Sequence, residues 1–348
     1  MQVGVNYPWL DYGWDFGLGP PAWRGGRMTP RWYDSIDAHL RHFSDLGISV
    51  VRWFILADGL TYGTGLDAPT PDPARRRRWH FEPPPLSDRI LEHFDNLLGR
   101  FAEAGGGSPI QLLPVLIDFH FCRPGMMPVR KPNDAEPRGA IEDPAWVKGG
   151  RADAIADPVK RTTFLDAALE PLLEVSGRYS HVIYAWELIN EPDWITKGWH
   201  PNPLRRLPVP EDAMLTFLDE GQRRIRRAGF RSTVGFALAD TLRRSGITAD
   251  ISQVHHYPGG RVTLHGHLGD RETPRILGEF ATTSADVWPD LHATGQRVLD
   301  RLRLADSRGY ELAIPWSFLS QDRHTTWSPD VEEDIRAFAR RERSGDIS

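Results

Sequence analysis

Residues 182–194 read VIYAWELINEPDW, an apolar run that ends in Asn190, Glu191 and Pro192. A short continuous apolar run of this kind fits a parallel strand covered on both faces. Proline cannot continue the ladder, so the strand stops at or just beyond the carboxylate. Two readings follow. Glu191 is either a solvated strand end, or an acid held at the rim of a barrel.

The rest of the chain bears on that choice. Similar runs occur at 3–7 (VGVNY), 50–55 (VVRWFI), 111–119 (QLLPVLIDF), 232–237 (STVGFA), 251–257 (ISQVHHY), 275–280 (RILGEF) and 312–318 (LAIPWSF), with the fourth strand placed at 182–188. Helical periodicity separates most of them, at 34–46, 87–104, 158–178, 211–228, 291–308 and 331–341. Asp34 or Ser35 is the expected start of the first helix, and Pro158 suits the first turn of the third. The connections at 238–250 and 258–274 are weaker and suggest short or irregular helices. Strand and helix alternating eight times predict an α/β fold, a (β/α)8 TIM barrel. No Gly-x-Gly-x-x-Gly follows the first strand, which disfavours an open dinucleotide-binding sheet.

Loop lengths give the barrel a working end. Helix-to-strand connections are short, as in GIS at 47–49 and GFR at 229–231. Strand-to-helix connections are long, at 56–86, 120–157 and 189–210. All of the long ones leave the C-terminal face of a barrel, so the surplus chain builds a cleft there. No boundary splits the 348 residues, and a single domain over 1–348 is expected.

Composition excludes several classes. A net charge of −5 offers no electrostatic case for nucleic acid or a membrane surface. One cysteine, Cys122, cannot form a disulfide within the chain. The opening MQVGVNYPWL has neither a basic segment nor a long apolar core, so no signal peptide is expected and the location is read as cytoplasmic. Nothing calls for a cofactor or a metal. Oligomeric state is not legible. Thirteen tryptophans are many, and Trp79, Trp146, Trp194, Trp199 and Trp288 fall in loops, as contact surfaces or as loop anchors. Arg75 to Arg78 reads as a solvated patch.

Polar residues gather at the C-terminal ends of the strands: Asn6 and Tyr7, Arg52, Asp118 and His120, Asn190 and Glu191, His255 to Tyr257, and Glu279. Strand alternation puts Gln253, His255 and Tyr257 on one face and His256 on the other. Asn190 and Glu191 are neighbours, so both can face inward only through a turn or bulge before Pro192. Two carboxylates, Glu191 and Glu279, meet the requirement of glycoside hydrolysis for one protonated and one ionised acid across one bond. Arg52 near Glu279 would keep it ionised, Tyr257 could donate to it, and Trp316 would supply a flat floor for a sugar.

WELINEPDW, with these companions in order, resembles the strand-four signature of the clan A (β/α)8 glycoside hydrolases, the group containing cellulases and β-mannanases of family 5 type. The resemblance spans residue 3 to about 320. It implies a retaining β-glycosidase acting on O-glycosidic bonds of a β-linked oligo- or polysaccharide, with Glu191 as general acid/base and Glu279 as nucleophile. It further implies carboxylates roughly 5–5.5 Å apart. Arg52, His120, Asn190, His255, Tyr257 and Trp316 then fall on substrate-binding positions, and Trp194 is a further candidate. Transfer to an acceptor other than water would use the same residues. Two other classes stand beside this reading. A metal-dependent barrel hydrolase would use Asp118, His120, His255 and Glu191, but lacks a His-x-His on strand one. A non-catalytic carbohydrate-binding barrel would not need both glutamates.

Overall fold

In the computed structural model, residues 1–10, 15–17, 30–74, 78–104, 110–125, 146–202, 204–257, 273–283, 297–319 and 324–344 are described. Eight parallel strands close a barrel: β1 (Gln2–Asn6), β2 (Val50–Phe54), β3 (Gln111–Asp118), β4 (Trp186–Asn190), β5 (Ser232–Phe236), β6 (Ile251–His256), β7 (Arg275–Ala281) and β8 (Leu312–Trp316). They neighbour one another in chain order, and β8 returns to pair with β1. The expected barrel is therefore the observed one.

Helices cover the outside. They are α1 (Pro30–Leu46), α2 (Asp88–Ala104), α3 (Pro158–Phe164, continued by a π turn at Leu165–Leu169 into Glu170–Gly177), α4 (Glu211–Arg227), α5 (Ala239–Ser245), α6 (Val298–Ser307) and α7 (Pro329–Ser344). The stripe expected on α1, Ile36, Leu40, Phe43 and Leu46, is buried against the sheet. Asp157 caps α3 by accepting from the backbone N–H of Val159 at 2.9 Å and of Lys160 at 3.1 Å, which leaves Pro158 in the first turn. The short helix expected after the fifth strand is α5. The stretch expected to be irregular after the sixth, with Trp288 and Arg75 to Arg77, lies outside the described residues. Among the described residues no helix is long and apolar enough to cross a membrane.

Two boundaries differ from expectation. α1 starts at Pro30, before Asp34, because proline is itself a favoured first-turn residue. β4 begins at Trp186 rather than Val182; Ser180–Val182 forms a 3-10 turn, and Ile183 makes only an isolated bridge to Leu112. An unbroken apolar run fixes that a segment is buried, not where its ladder begins.

The barrel interior is layered. Its N-terminal end is apolar, filled by Val50, Leu113, Tyr184, Ala185, Ile251, Ile276, Leu312 and Ile314. Above this lies a polar layer centred on Arg52, which has no solvent exposure. Its Nε donates to Glu187 Oε2 at 2.7 Å and its Nη2 to Glu187 Oε1 at 2.6 Å, a bidentate pair. Gln253 donates to the same carboxylate at 2.8 Å. Two glycines make room for the layer. A Cβ at Gly235 would lie 2.4 Å from Glu187 Oε1, and one at Gly278 would lie 2.4 Å from Gln253 Nε2.

The long loops are pinned by a second buried cation. Arg151 donates to the carbonyls of Tyr62 (2.9 Å) and Gly63 (3.1 Å) after β2, and of Val147 (2.7 Å) and Gly149 (2.5 Å) after β3. Burial pulls its guanidinium down to about 9, so these carbonyl dipoles hold a cation that desolvation disfavours.

Removing Glu187 strands Arg52 with one fewer acceptor pair in a dry interior. Glu187→Ala is expected to lower unfolding free energy by about 3–5 kcal/mol, and Glu187→Gln, which keeps the shape, by less. Urea denaturation of the two variants measures this; equal stability of wild type and Glu187→Ala would show the pair to be dispensable.

Candidate active site

The end of β4 departs from regular geometry. Glu187 pairs with Thr233 but Asn190 pairs with Gly235, so β4 carries one extra residue. The bulge sends Leu188 and Ile189 both to the outer, helix-facing cluster and returns Asn190 to the interior. Glu191 then takes a left-handed conformation, φ 49° and ψ 52°. For a non-glycine residue this costs on the order of 1–3 kcal/mol and persists only where neighbours impose it. Here the Glu191 N–H donates to the Gly235 carbonyl at 2.7 Å, and a 3-10 turn at Pro192–Trp194 follows directly. Buried Asp193 holds the turn by accepting from the Ala237 N–H at 2.9 Å. The bulge and the turn together bring Asn190 and Glu191 inward side by side.

A similar irregularity serves Glu279. Val254 pairs with Leu277 but His255 with Glu279, and the register to β8 shifts at the same place. Both shifts mark Gly278 as the extra residue of β7.

From the polar layer, Arg52 reaches up to the rim. Nη1 donates to Asn6 Oδ1 and to Glu279 Oε1, each at 2.8 Å, and Nη2 donates to Asn190 Oδ1 at 2.8 Å. Asn6 in turn donates to the carbonyl of Gly278 at 2.9 Å, fixing the β7 bulge. Asn190 Nδ2 donates to Asp118 Oδ1 at 2.8 Å, and Asp118 Oδ2 accepts from the His120 backbone N–H at 2.9 Å and bonds the His120 ring at Nδ1. Arg123 lies 3.0 Å from His120 Nε2. Arginine can only donate, so Nε2 accepts and the ring proton sits on Nδ1, facing Asp118. Burial works against a charged His120, but Asp118 outweighs it and lifts the ring above its ordinary value.

Glu191 and Glu279 converge. A carboxylate oxygen of each and a ring nitrogen of His255 all lie within 4.8 Å of one another. Their surroundings differ. Glu279 accepts from Arg52 at 2.8 Å and from the Tyr257 hydroxyl at 2.7 Å. Glu191 accepts from Trp194 Nε1 at 2.7 Å and faces His255 Nδ1 at 2.9 Å, and among the described residues no guanidinium is bonded to it. Burial, with the Asp118 charge adding to it, pushes Glu191 up to about 7. Burial raises Glu279 too, while the Arg52 charge and the hydrogen bond from Tyr257 pull it back. His255 is held below its usual value, chiefly by burial and then by Arg52, so it is a neutral ring near neutral pH.

A cavity of about 480 Å³ opens over the pair. Of the residues read from the sequence as substrate-binding, His120, Asn190, Trp194, Tyr257 and Trp316 line it. Arg52 and His255, also expected to touch substrate, do not line it. Arg52 is buried with all its nitrogens bonded to protein, and the His255 side chain lies behind the two glutamates. Both belong to the layer beneath the mouth and bond the carboxylates from below. His256 is buried and His255 shares its face with Tyr257, as strand alternation required. Trp199 is a loop anchor, buried and donating to Glu211 at 2.7 Å.

Several wall residues escaped sequence reasoning. Trp9 stands edge-on to Trp316 with centroids 6.1 Å apart, and His324 packs on Tyr257 at 4.8 Å. Asp58 lies in the wall beside Lys148, 3.3 Å away. Trp9 follows the first strand by three residues, and that position was its only signal. Glu187 was inside the quoted motif and carried no signal of its own.

Glu191, His255 and Glu279 are also the one cluster among the described residues with metal-ligating geometry. The Arg52 guanidinium at 2.8 Å from Glu279 already places a fixed positive charge there, which opposes a dication. Asp118 and His120, the other ligands of the metal reading, are bonded to each other instead.

No protein-family model and no curated protein matches the chain. Solved structures do. The β-mannanase of the blue mussel Mytilus edulis aligns with a TM-score of 0.64 at 15% identity, over 97% of this chain and 91% of that one. The endo-1,4-β-mannanase of Eisenia fetida aligns with a TM-score of 0.65 at 16% identity, over 97% and 90%. An exo-β-1,4-mannosidase from Opitutaceae bacterium strain TAV5 aligns with a TM-score of 0.56 at 17% identity, over 100% of this chain and 60% of that one. At such identities the likeness is one of fold: the chain has the closed eight-stranded barrel seen in these glycoside hydrolases.

Proposed function

We propose that the chain, as one catalytic domain over 1–348, is a retaining glycoside hydrolase that cleaves β-linked O-glycosidic bonds by double displacement. The observation that carries this reading is the Glu191–Glu279 pair, with oxygens within 4.8 Å and with opposite surroundings. That spacing suits a direct nucleophile; an intervening water needs carboxyl groups about 6.5–9.5 Å apart. The mannanase folds among its neighbours favour a β-linked oligo- or polysaccharide of hexoses, glucan- or mannan-like, as substrate.

In this mechanism protonated Glu191 delivers its proton to the glycosidic oxygen as the bond to the anomeric carbon breaks. Glu279, kept ionised by Arg52 and Tyr257, attacks that carbon from the other face and forms a glycosyl ester. Glu191, now ionised, takes a proton from water, which attacks the anomeric carbon and releases Glu279. An acceptor sugar in place of water would give transglycosylation. Asn190 and Tyr257 are placed to contact the sugar next to the bond, and Trp316 to stack on its ring. Arg52 and His255 are positioning residues.

Glu279→Ala is expected to abolish turnover of aryl β-glycosides, with azide restoring it as a glycosyl azide of inverted configuration. Product NMR reads the outcome, and an azide product of retained configuration would remove Glu279 as nucleophile. Glu191→Ala is expected to lose about 10²–10⁴-fold on unactivated glycosides and far less on dinitrophenyl glycosides, whose leaving group needs no proton. Equal losses on both would assign the proton elsewhere.

A carboxyl at about 7 must be protonated to act, so kcat/KM on unactivated glycosides is expected to fall as pH rises through about 7. The limb should disappear from the glycosylation step of Glu191→Gln on dinitrophenyl glycosides. Its persistence there would trace it to another group.

A further inference from the structure

A second cavity, about 930 Å³, lies between the loops that follow β2, β3 and β4. Arg78, Arg123, Lys197, Arg205 and Arg206 line it, against one acid, Asp153. Asp153 is already taken by Lys160, at 3.2 Å. Among the described residues none of the five cations pairs with a carboxylate. Arg123 and Arg205 are close enough that, beyond burial, the Arg205 charge depresses the Arg123 guanidinium. Like charges assembled around a concave surface without counter-charge create a field that favours an anion. The groove is also partly aromatic. Trp79 lines it, with Gly125 so close over the ring that a Cβ there would lie 2.7 Å from three of its atoms. An indole among guanidinium groups suits a sugar that carries a negative charge.

The groove meets the glutamate cavity along two seams. In one, Arg123 faces His120 Nε2 at 3.0 Å and stacks over Phe119 at 4.3 Å, and both His120 and Phe119 line the glutamate cavity. In the other, Trp194, which donates to Glu191, packs edge-on against His200 at 5.2 Å, and His200 Nε2 lies 3.2 Å from Arg205. Both seams adjoin Glu191 or its supporting residues. We propose that this groove is a binding site for an anionic substituent, a carboxylate, sulfate ester or phosphate ester, on the saccharide that extends past Glu191. The preferred substrate is thus an acidic β-linked oligosaccharide, not a neutral one. The proposal rests on the glycosidase reading, which identifies the saccharide.

Binding and turnover separate the two. Calorimetric titration of the Glu279→Gln protein would compare neutral β-linked hexo-oligosaccharides with counterparts bearing a uronate carboxylate, a sulfate or a phosphate. At least one charged series is expected to bind about 10-fold tighter at low salt, the advantage shrinking toward parity near 1 M. The double variant Arg205→Glu/Arg206→Glu should abolish that ratio, and Arg205→Lys/Arg206→Lys should keep part of it. The leading anion identifies the source. Equal binding of neutral and charged ligands, an advantage that survives charge reversal, or tighter binding of a single-stranded oligonucleotide than of any saccharide would overturn the groove assignment. Turnover of neutral aryl glycosides by wild type tests the glycosidase reading independently. Its absence alongside charge-selective binding would sink that reading and leave the anion site standing.

Discussion

A guanidinium buried without exposure is tolerable only if every donor finds an acceptor, and Arg52 meets that demand with four residues on three strands: Asn6 on β1, Glu187 and Asn190 on β4, and Glu279 on β7. These contacts set the rest of the interior. Glu187 must come inward, so Gly235 must have no side chain in its way. Asn190 must reach Nη2, so β4 bulges. Asn6 must hold the carbonyl of Gly278, so β7 bulges where Glu279 needs to point in. The inward placement of Glu279, and of Asn190 beside Glu191, thus goes with satisfying one cation beneath them.

The same layer divides charge. Arg52 makes two bonds to Glu187 and only one to Glu279, while His120 serves Asp118. Glu191 is left with two uncharged partners, Trp194 and His255. Burial favours the protonated form of a carboxyl that no bonded cation offsets, and Glu191 is such a carboxyl among the described residues. Burial and then the Asp118 charge raise Glu191, and Arg52, which does not bond it, offsets only part of the rise.

Much of this was readable in the chain because it depends on periodicity. Apolar runs separated by amphipathic helices define the barrel, and polar residues at strand ends mark its mouth. Alternation alone separated His255 from His256. What resisted reading depends on depth and on extra residues. Arg52 and His255 look the same in sequence whether they line a cavity or lie under it. A glutamate in the middle of a strand, Glu187, is intelligible only once its partner two strands away is known. The β4 irregularity was signalled by two polar neighbours, Asn190 and Glu191, ahead of Pro192, whereas the bulge at Gly278 has no local signature. The π turn in α3 likewise has no signature in the apolar pattern.

Net charge misleads in a similar way. The chain is acidic by five units, which argued against anionic partners, yet the groove beside the glutamates is walled by cations from three separate loops. Screening confines each surface charge to about 8–10 Å, so a distant excess of acid does not cancel a local cluster. Only Arg78 came from a recognisable run; Arg123, Lys197, Arg205 and Arg206 are far from it in sequence and meet through the barrel. Arg123 also belongs to a continuous chain of bonds, through His120, Asp118 and Asn190, to Arg52. An anion in the groove would draw on the Arg123 charge that now lowers His120, and so strengthen the His120–Asp118 pair. Asp118 is a main source of the charge that raises Glu191 after burial, so occupancy of the groove and proton affinity of the acid share one electrostatic path.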